Sequence, residues 1–272
     1  MRRLFAVAFV LSLPTASAPA QTAPPAEVAP AAKPAIKKAA AKPRKAATKP
    51  LEPAVAGPCR LGVIAALEDK FSVQKISMIV FGDEATQVPV DWGFNDIVAE
   101  RVRAAAGGAG VRKIAYPKGA FEPYYERSEA LFQIPGDKLT SIVRQVAGNA
   151  DCERYLVVTT HSVQLSRTNL PLNGIGVLDG PFGHPTLFTF FMATIFDGKT
   201  FEIRRNPLFS DLGKALARSF TLQKPDPLSQ LDDGAFPQPA AAAAQNTMLR
   251  DRIRVLLAEK LDKTLPDVLK TE

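Results

Sequence analysis

Apolar positions recur along this chain with different periods, and each period predicts a different element. Leu61 to Leu67 is a short unbroken apolar run, the pattern of a strand buried on both faces. Phe71, Val73, Ile76, Met78, Ile79, Val80 and Phe81 form a second β-rich stretch ended by Gly82-Asp83, and Glu68-Asp69-Lys70 supplies the turn between the two. From Asp91, read as an N-cap, Phe94, Ile97, Val98, Val102 and Ala105 repeat at helical spacing as far as Gly107-Gly108. Val111 to Tyr116 predicts a third strand. A second helix starts at Asp137, with Leu139, Ile142, Val143 and Val146 at i, i+3, i+4 and i+7, and Gly148-Asn149 stops it.

Arg154 to Leu165 carries the clearest strand pattern, with Tyr155, Val157, Thr159, His161, Val163 and Leu165 on one face. Thr186 to Phe196 and Lys199 to Arg205 follow, joined at Asp197-Gly198, a hairpin signal between β-branched and aromatic residues. Two late amphipathic stripes predict helices, one through Leu208, Leu212, Leu216 and Phe220, the other through Leu249, Ile253, Leu256, Leu257 and Leu261. Strands, helix, strand, helix, strands and helices in this order predict an α/β or α+β fold, a single mixed-sheet domain over residues 58–272 with helices packed on it. A Pro- and Ala-rich excursion near residues 223–244 interrupts it.

The first 57 residues follow none of these periods. Met1, Arg2 and Arg3 precede an apolar run from Leu4 to Leu13, and Ala18-Pro19-Ala20 places small residues before Gln21, the pattern of a cleavable secretory signal over residues 1–20. The run is too short to span a bilayer. Residues 21–57 are mostly Ala, Pro, Lys and Thr, a composition that cannot bury enough apolar surface to offset its ordering entropy, and they read as a disordered tether. The formal net charge of the chain is +7. Residues 1–57 hold nine basic and two acidic residues, whereas residues 58–272 hold 25 of each sign, so the whole excess sits in the leader and tether. The pI near 9.4 is therefore no sign of a basic nucleic-acid module. Lys33, Lys37, Lys38, Lys42, Arg44, Lys45 and Lys49 of the tether either attract anionic cell-wall polymer or membrane surface, or merely keep a spacer solvated. Export to the periplasm excludes nucleic acid as their partner.

An exported chain with two cysteines predicts a disulfide, Cys59 to Cys152, because each lies just before a predicted strand and the two meet if those strands are parallel neighbours. The spacing has no redox C-x-x-C character and makes no metal site, and no metal or cofactor is expected. His161 and His184 are the two histidines. Each has a plain structural reading, as a half-buried strand residue and a turn residue. The chemical alternative is a hydrolase that joins them with Asp179, although no G-x-S-x-G elbow accompanies them. Gly174, Gly176 and Gly180 have the wrong spacing and context for a dinucleotide loop and read as turn glycines. Around them Leu170, Leu172, Ile175, Val177, Leu178 and Phe182 put unusual apolar area on a predicted loop, which either folds back on the domain or meets an envelope protein partner. Neighbouring carboxylates occur at Glu68-Asp69, Asp83-Glu84 and Asp232-Asp233, and Trp92 reads as core with Tyr124 and Tyr125 scattered on the surface.

The stretch Leu61-Gly62-Val63-Ile64-Ala65-Ala66-Leu67, then Ile76 to Gly82, Val90-Asp91-Trp92-Gly93 and Asp96, resembles a group of exported proteobacterial proteins without an assigned activity; a fainter echo lies at Asn173-Gly174-Ile175-Gly176. The element order is also similar to periplasmic domains of the TolB amino-terminal and curli-secretion kinds. These resemblances imply an exported mixed α/β protein that binds or assembles in the envelope, and carry over no catalytic residue.

Overall fold

The structure is a computed structural model that describes residues 57–77, 82–126, 135–164, 171–180, 184–205 and 228–270. The expected signal sequence, all of the tether but Gly57, the end of the second β-rich stretch at Met78 to Phe81 and the helix striped by Leu208 to Phe220 lie outside those residues.

The run at Leu61 to Leu67 is buried because it forms an interior strand of a five-stranded sheet. Strand β1 (Cys59–Ala66) has β4 (Val111–Lys113) on one side and β5 (Cys152–Thr160) on the other, both parallel to it. Next to β5, and antiparallel, come β10 (Phe191–Asp197) and β11 (Ile203–Arg205), completing the order β11-β10-β5-β1-β4. Alternation along β1 then divides two cores. Leu61, Val63 and Ala65 face one, with Leu156 and Val158 of β5, whereas Ile64 and Ala66 face the other, with Tyr155 and Val157.

Helices cover both faces. Helix α1 (Phe94–Ala105) buries Phe94, Ile97, Val98 and Val102 in the first core, together with Leu249, Ile253, Leu256, Leu257, Leu261, Leu265 and Val268 of the long helix α4 (Thr247–Leu269). The Asn246 side chain caps α4 by accepting from the Leu249 N–H at 3.1 Å. On the opposite face lie the single turn α2 (Glu122–Tyr125) and α3 (Pro135–Ala147), whose Leu139, Ile142 and Val143 fill the second core. A predicted cap is corrected here: α1 begins after Gly93, in the left-handed region at φ 67°, and Asp91 does not cap it.

A second, four-stranded sheet closes the first core from the other side. Its order is β3-β2-β8-β9, from β2 (Lys70–Lys75), β3 (Glu84–Pro89), β8 (Ile175–Asp179) and β9 (Thr186–Thr189). Phe71, Val73, Val88, Ile175, Val177 and Leu187 point inward. Strands β6 (Ser162–Gln164) and β7 (Pro171–Asn173) form a separate antiparallel pair. The predicted loop around Leu172, Ile175 and Val177 is therefore strand, and its apolar excess is core. All three side chains are at most 2% exposed, so they offer no partner surface; Leu178 is half-buried, and Leu170 and Phe182 lie outside the described residues.

Three stretches of chain cross from one sheet to another. β1 passes into β2 through Leu67-Glu68-Asp69, β5 into β6 through His161, and β9 into β10 through Phe190. The single long strand predicted from Arg154 to Leu165 is thus two, broken at His161. At that break three backbone bonds join the crossing chains: the His161 N–H donates to the Phe190 carbonyl (3.0 Å), the Phe190 N–H to that of Gly174 (2.7 Å), and the Gly174 N–H to that of His161 (2.9 Å). Only glycine suits position 174, since φ is 61° and a Cβ would lie 2.6 Å from Thr160 Cγ2.

The cysteines meet as expected. Cys59 and Cys152 are directly opposite in the β1/β5 register, with Cα atoms 4.5 Å apart, and are disulfide-bonded.

Candidate binding cleft

The order of the parallel strands marks one place in this fold for a site. From β1 the chain reaches β4 with α1 on one face, then crosses to β5 on the far side of β1 with α2 and α3 on the other face. The connections diverge at the carboxyl end of β1, the switch point outside which open α/β sheets hold ligands. A cleft of about 500 Å³ opens there, and Glu68, Lys70, Tyr125, Thr160, His161 and Asn173 are among the residues that line it.

The β1/β4 pairing ends at Val63 and the β1/β5 pairing at Ala66, so carbonyls at the end of β1 lack a strand partner on one side, and side chains replace it. Tyr116 donates its hydroxyl to the Ala65 carbonyl, and Tyr125 donates to that of Ala66. Asn95, in the first turn of α1, imitates a neighbouring strand: its Oδ1 accepts from the Leu67 N–H at 2.8 Å and its Nδ2 donates to the Leu67 carbonyl at 3.1 Å. The Tyr125 oxygen also accepts the Thr160 N–H at 3.1 Å, so one hydroxyl ties the ends of β1 and β5 together. Burial pushes the Tyr125 phenol above its ordinary pKa, and burial, then the charge of Asp69, pushes Tyr116 up to about 12. Tyr125 is a structural strut of the cleft, not the surface residue expected.

Glu68 and Asp69 divide between the two sides of this edge. Glu68 lines the cleft, where its Oε1 accepts from the Lys70 ammonium at 2.6 Å and its Oε2 from the Thr160 hydroxyl at 3.4 Å. On the other side, burial first and the charge of Asp91 second raise the pKa of Asp69, against an opposing pull from Lys118. Ser162 donates to Asn173 Oδ1 at 2.6 Å, across the β6/β7 pair. Gln87 of β3 reaches in from the second sheet and donates to Ser72 Oγ at 3.0 Å. The His161 ring is half-buried, and desolvation lowers its pKa, which keeps the imidazole neutral at pH 7.

The three residues of the hydrolase alternative do not assemble. His161 pairs with Phe190, just past the carboxyl end of β9, whereas His184 precedes the start of that strand and holds Asp233 through Nδ1 at 2.6 Å. Asp179 lies one residue beyond the Leu178/Thr186 pair, at the His184 end. The length of β9, on the order of 13 Å for four residues, separates His161 from the other two. The cleft itself was missed by inspection of the sequence, since its walls come from segments up to about a hundred residues apart. A usable signal was present in the first polar residues after the two most buried strands, Glu68 after Leu67 and His161 after Thr160.

Compared with models of known protein families, with curated proteins and with solved structures, the chain matches none.

Proposed function

We propose that this chain is an exported binding protein of the periplasmic envelope, which holds a small polar ligand in the cleft and reaches anionic cell-wall polymer or membrane surface through its basic tether. The observation that carries this reading is the wiring of the cleft. The hydroxyls on either side of His161 donate elsewhere, Thr160 to Glu68 and Ser162 to Asn173, so neither stands as a nucleophile against the imidazole. Such a site is built to hold a ligand by polar contacts. Export draws support from the leader pattern, from the disulfide, which persists in oxidising compartments, and from the resemblance to exported proteins. Among the described residues no helix is long and apolar enough to cross a membrane.

The test is cosedimentation of the mature chain with cell-wall sacculi and anionic vesicles over a salt series, beside a variant with Lys37, Lys38, Lys42 and Lys45 all changed to Gln. Binding that falls steeply with salt and is lost in the variant is the expected result. Equal, salt-insensitive binding by both forms removes the tether from the account. The rival reading, a periplasmic hydrolase on His161 or His184, has the neutral His161 imidazole in its favour. A screen of esters, phosphate esters and glycosides decides it: activity lost on changing both histidines to Ala supports the hydrolase.

A further inference from the structure

The cleft also carries a preference for the sign of its ligand, an inference that rests on the binding reading above. Most donor-bearing side chains along its described walls make a bond to a protein acceptor. Lys70 and Thr160 donate to Glu68, Gln87 to Ser72, Tyr125 to the Ala66 carbonyl and Ser162 to Asn173, so each of these side chains already holds a protein acceptor, and the Asn173 amide group has none among the described residues. Acceptors are in the opposite condition. Glu122 and Glu126 line the cleft, are exposed, and have no partner among the described residues. They sit one helical turn apart, and the Glu126 N–H donates to the Glu122 carbonyl at 2.9 Å, so their side chains share a face. The neutral His161 ring keeps one nitrogen as an acceptor. Formal charge agrees with this inventory: among the described residues lining the cleft, Glu68, Glu122 and Glu126 face one cation, Lys70, whose ammonium is paired with Glu68.

Switch-point clefts in α/β folds commonly take anions, because helix N-termini point into them. Here α1 enters its first turn beside the other side of β1, where Asp96 accepts from Lys113 at 2.6 Å and Asn95 is occupied with Leu67. Among the described residues the cleft thus presents more carboxylate than cation, and the first turn of α1 is occupied elsewhere. We propose that the cleft takes a small organic cation bearing a primary ammonium or guanidinium group, held against Glu122 and Glu126.

The experiment uses the full mature chain and two probes of equal length and opposite charge, 1,4-diaminobutane and succinate. Because succinate also has the Lys-rich tether to sit on, binding is read site by site, at the amide resonances of Thr160, His161 and Asn173 in a titration followed by NMR. The diamine is expected to shift these resonances saturably at low ionic strength, and succinate to leave them in place. Glu122→Gln with Glu126→Gln is expected to weaken the diamine roughly fivefold or more, with the melting temperature unchanged because both side chains are exposed. A cleft that responds to succinate instead, or a diamine affinity that the double substitution leaves untouched, overturns the cation assignment and leaves the binding reading standing. Resonances that neither these probes nor a set of neutral sugars and amides can move overturn both.

Discussion

The two ends of β1 are held in different ways. At the amino end β1 and β5 start side by side, and a buried disulfide joins the paired residues Cys59 and Cys152. At the carboxyl end the same strands part, β1 toward the second sheet and β5 toward the β6/β7 pair, and directional hydrogen bonds hold the freed backbone, from the side chains of Asn95, Tyr116 and Tyr125 and within the backbone junction of His161, Gly174 and Phe190. A covalent bond needs no room for a ligand, whereas diverging strands create both unpaired peptides and space. The closed end contributes stability and the open end contributes the cleft.

The largest expected effect comes from breaking the closed end. Replacing both cysteines by Ala removes a cross-link over a 93-residue separation, for which chain entropy gives a loss of about 4.6 kcal/mol. Urea unfolding of the oxidised protein and the double variant measures it. The variant should unfold at much lower urea and retain the cleft's NMR pattern under native conditions. A midpoint that barely moves would mean that the disulfide contributes little and that the contrast between the ends is only geometrical.

Smaller changes test the open end. Asn95→Ala leaves the Leu67 N–H and carbonyl without their partners, and Tyr125→Phe does the same to the Ala66 carbonyl and the Thr160 N–H; each should cost about 1–3 kcal/mol. The tyrosines add a pH signature. Their folded pKa values lie above the unfolded value of about 10, so their contribution is complete below that pH and is lost as pH rises through the folded value, about 12 for Tyr116. Urea midpoints from pH 8 to 11 should fall for the wild type and fall less for Tyr125→Phe. Equal alkaline slopes would show that the phenol is not the strut assigned here.

The same contrast explains what could be read in advance. Local periodicity revealed β1, β5, α1, α3 and α4, because each buries a stripe or run against a core, and the disulfide followed from two cysteines placed at strand starts. Strand β3 was invisible: Glu84, Ala85, Thr86 and Gln87 are all exposed on an edge, so no alternation marks them. The β7/β8 segment reads as a loop because glycines break it, yet Gly174 is there to turn the chain past Thr160 while the flanking apolar residues enter the core. His161 was singled out, but its real neighbours were not, because topology rather than spacing brings Glu68, Tyr125 and Asn173 to it.

The smallest effect concerns His161 itself, where the crossing chains meet. Burial lowers its pKa, so the unfolded chain holds the proton more tightly than the folded one. Its contribution to stability is therefore complete above the unfolded value of about 6.5 and is lost as pH falls below it toward the depressed folded value. Protonation there would place a charge beside the backbone junction of His161, Gly174 and Phe190, an end of the sheet that the disulfide does not reach. Between pH 7.5 and 5.5 the urea midpoint of the wild type should decline by a small margin, and His161→Gln should flatten that decline while leaving the value at pH 7.5 nearly unchanged. A variant with the same acid slope as the wild type would place the pH response elsewhere. A large loss at pH 7.5 would make His161 part of the packing that holds the open end, rather than a polar wall of the cleft.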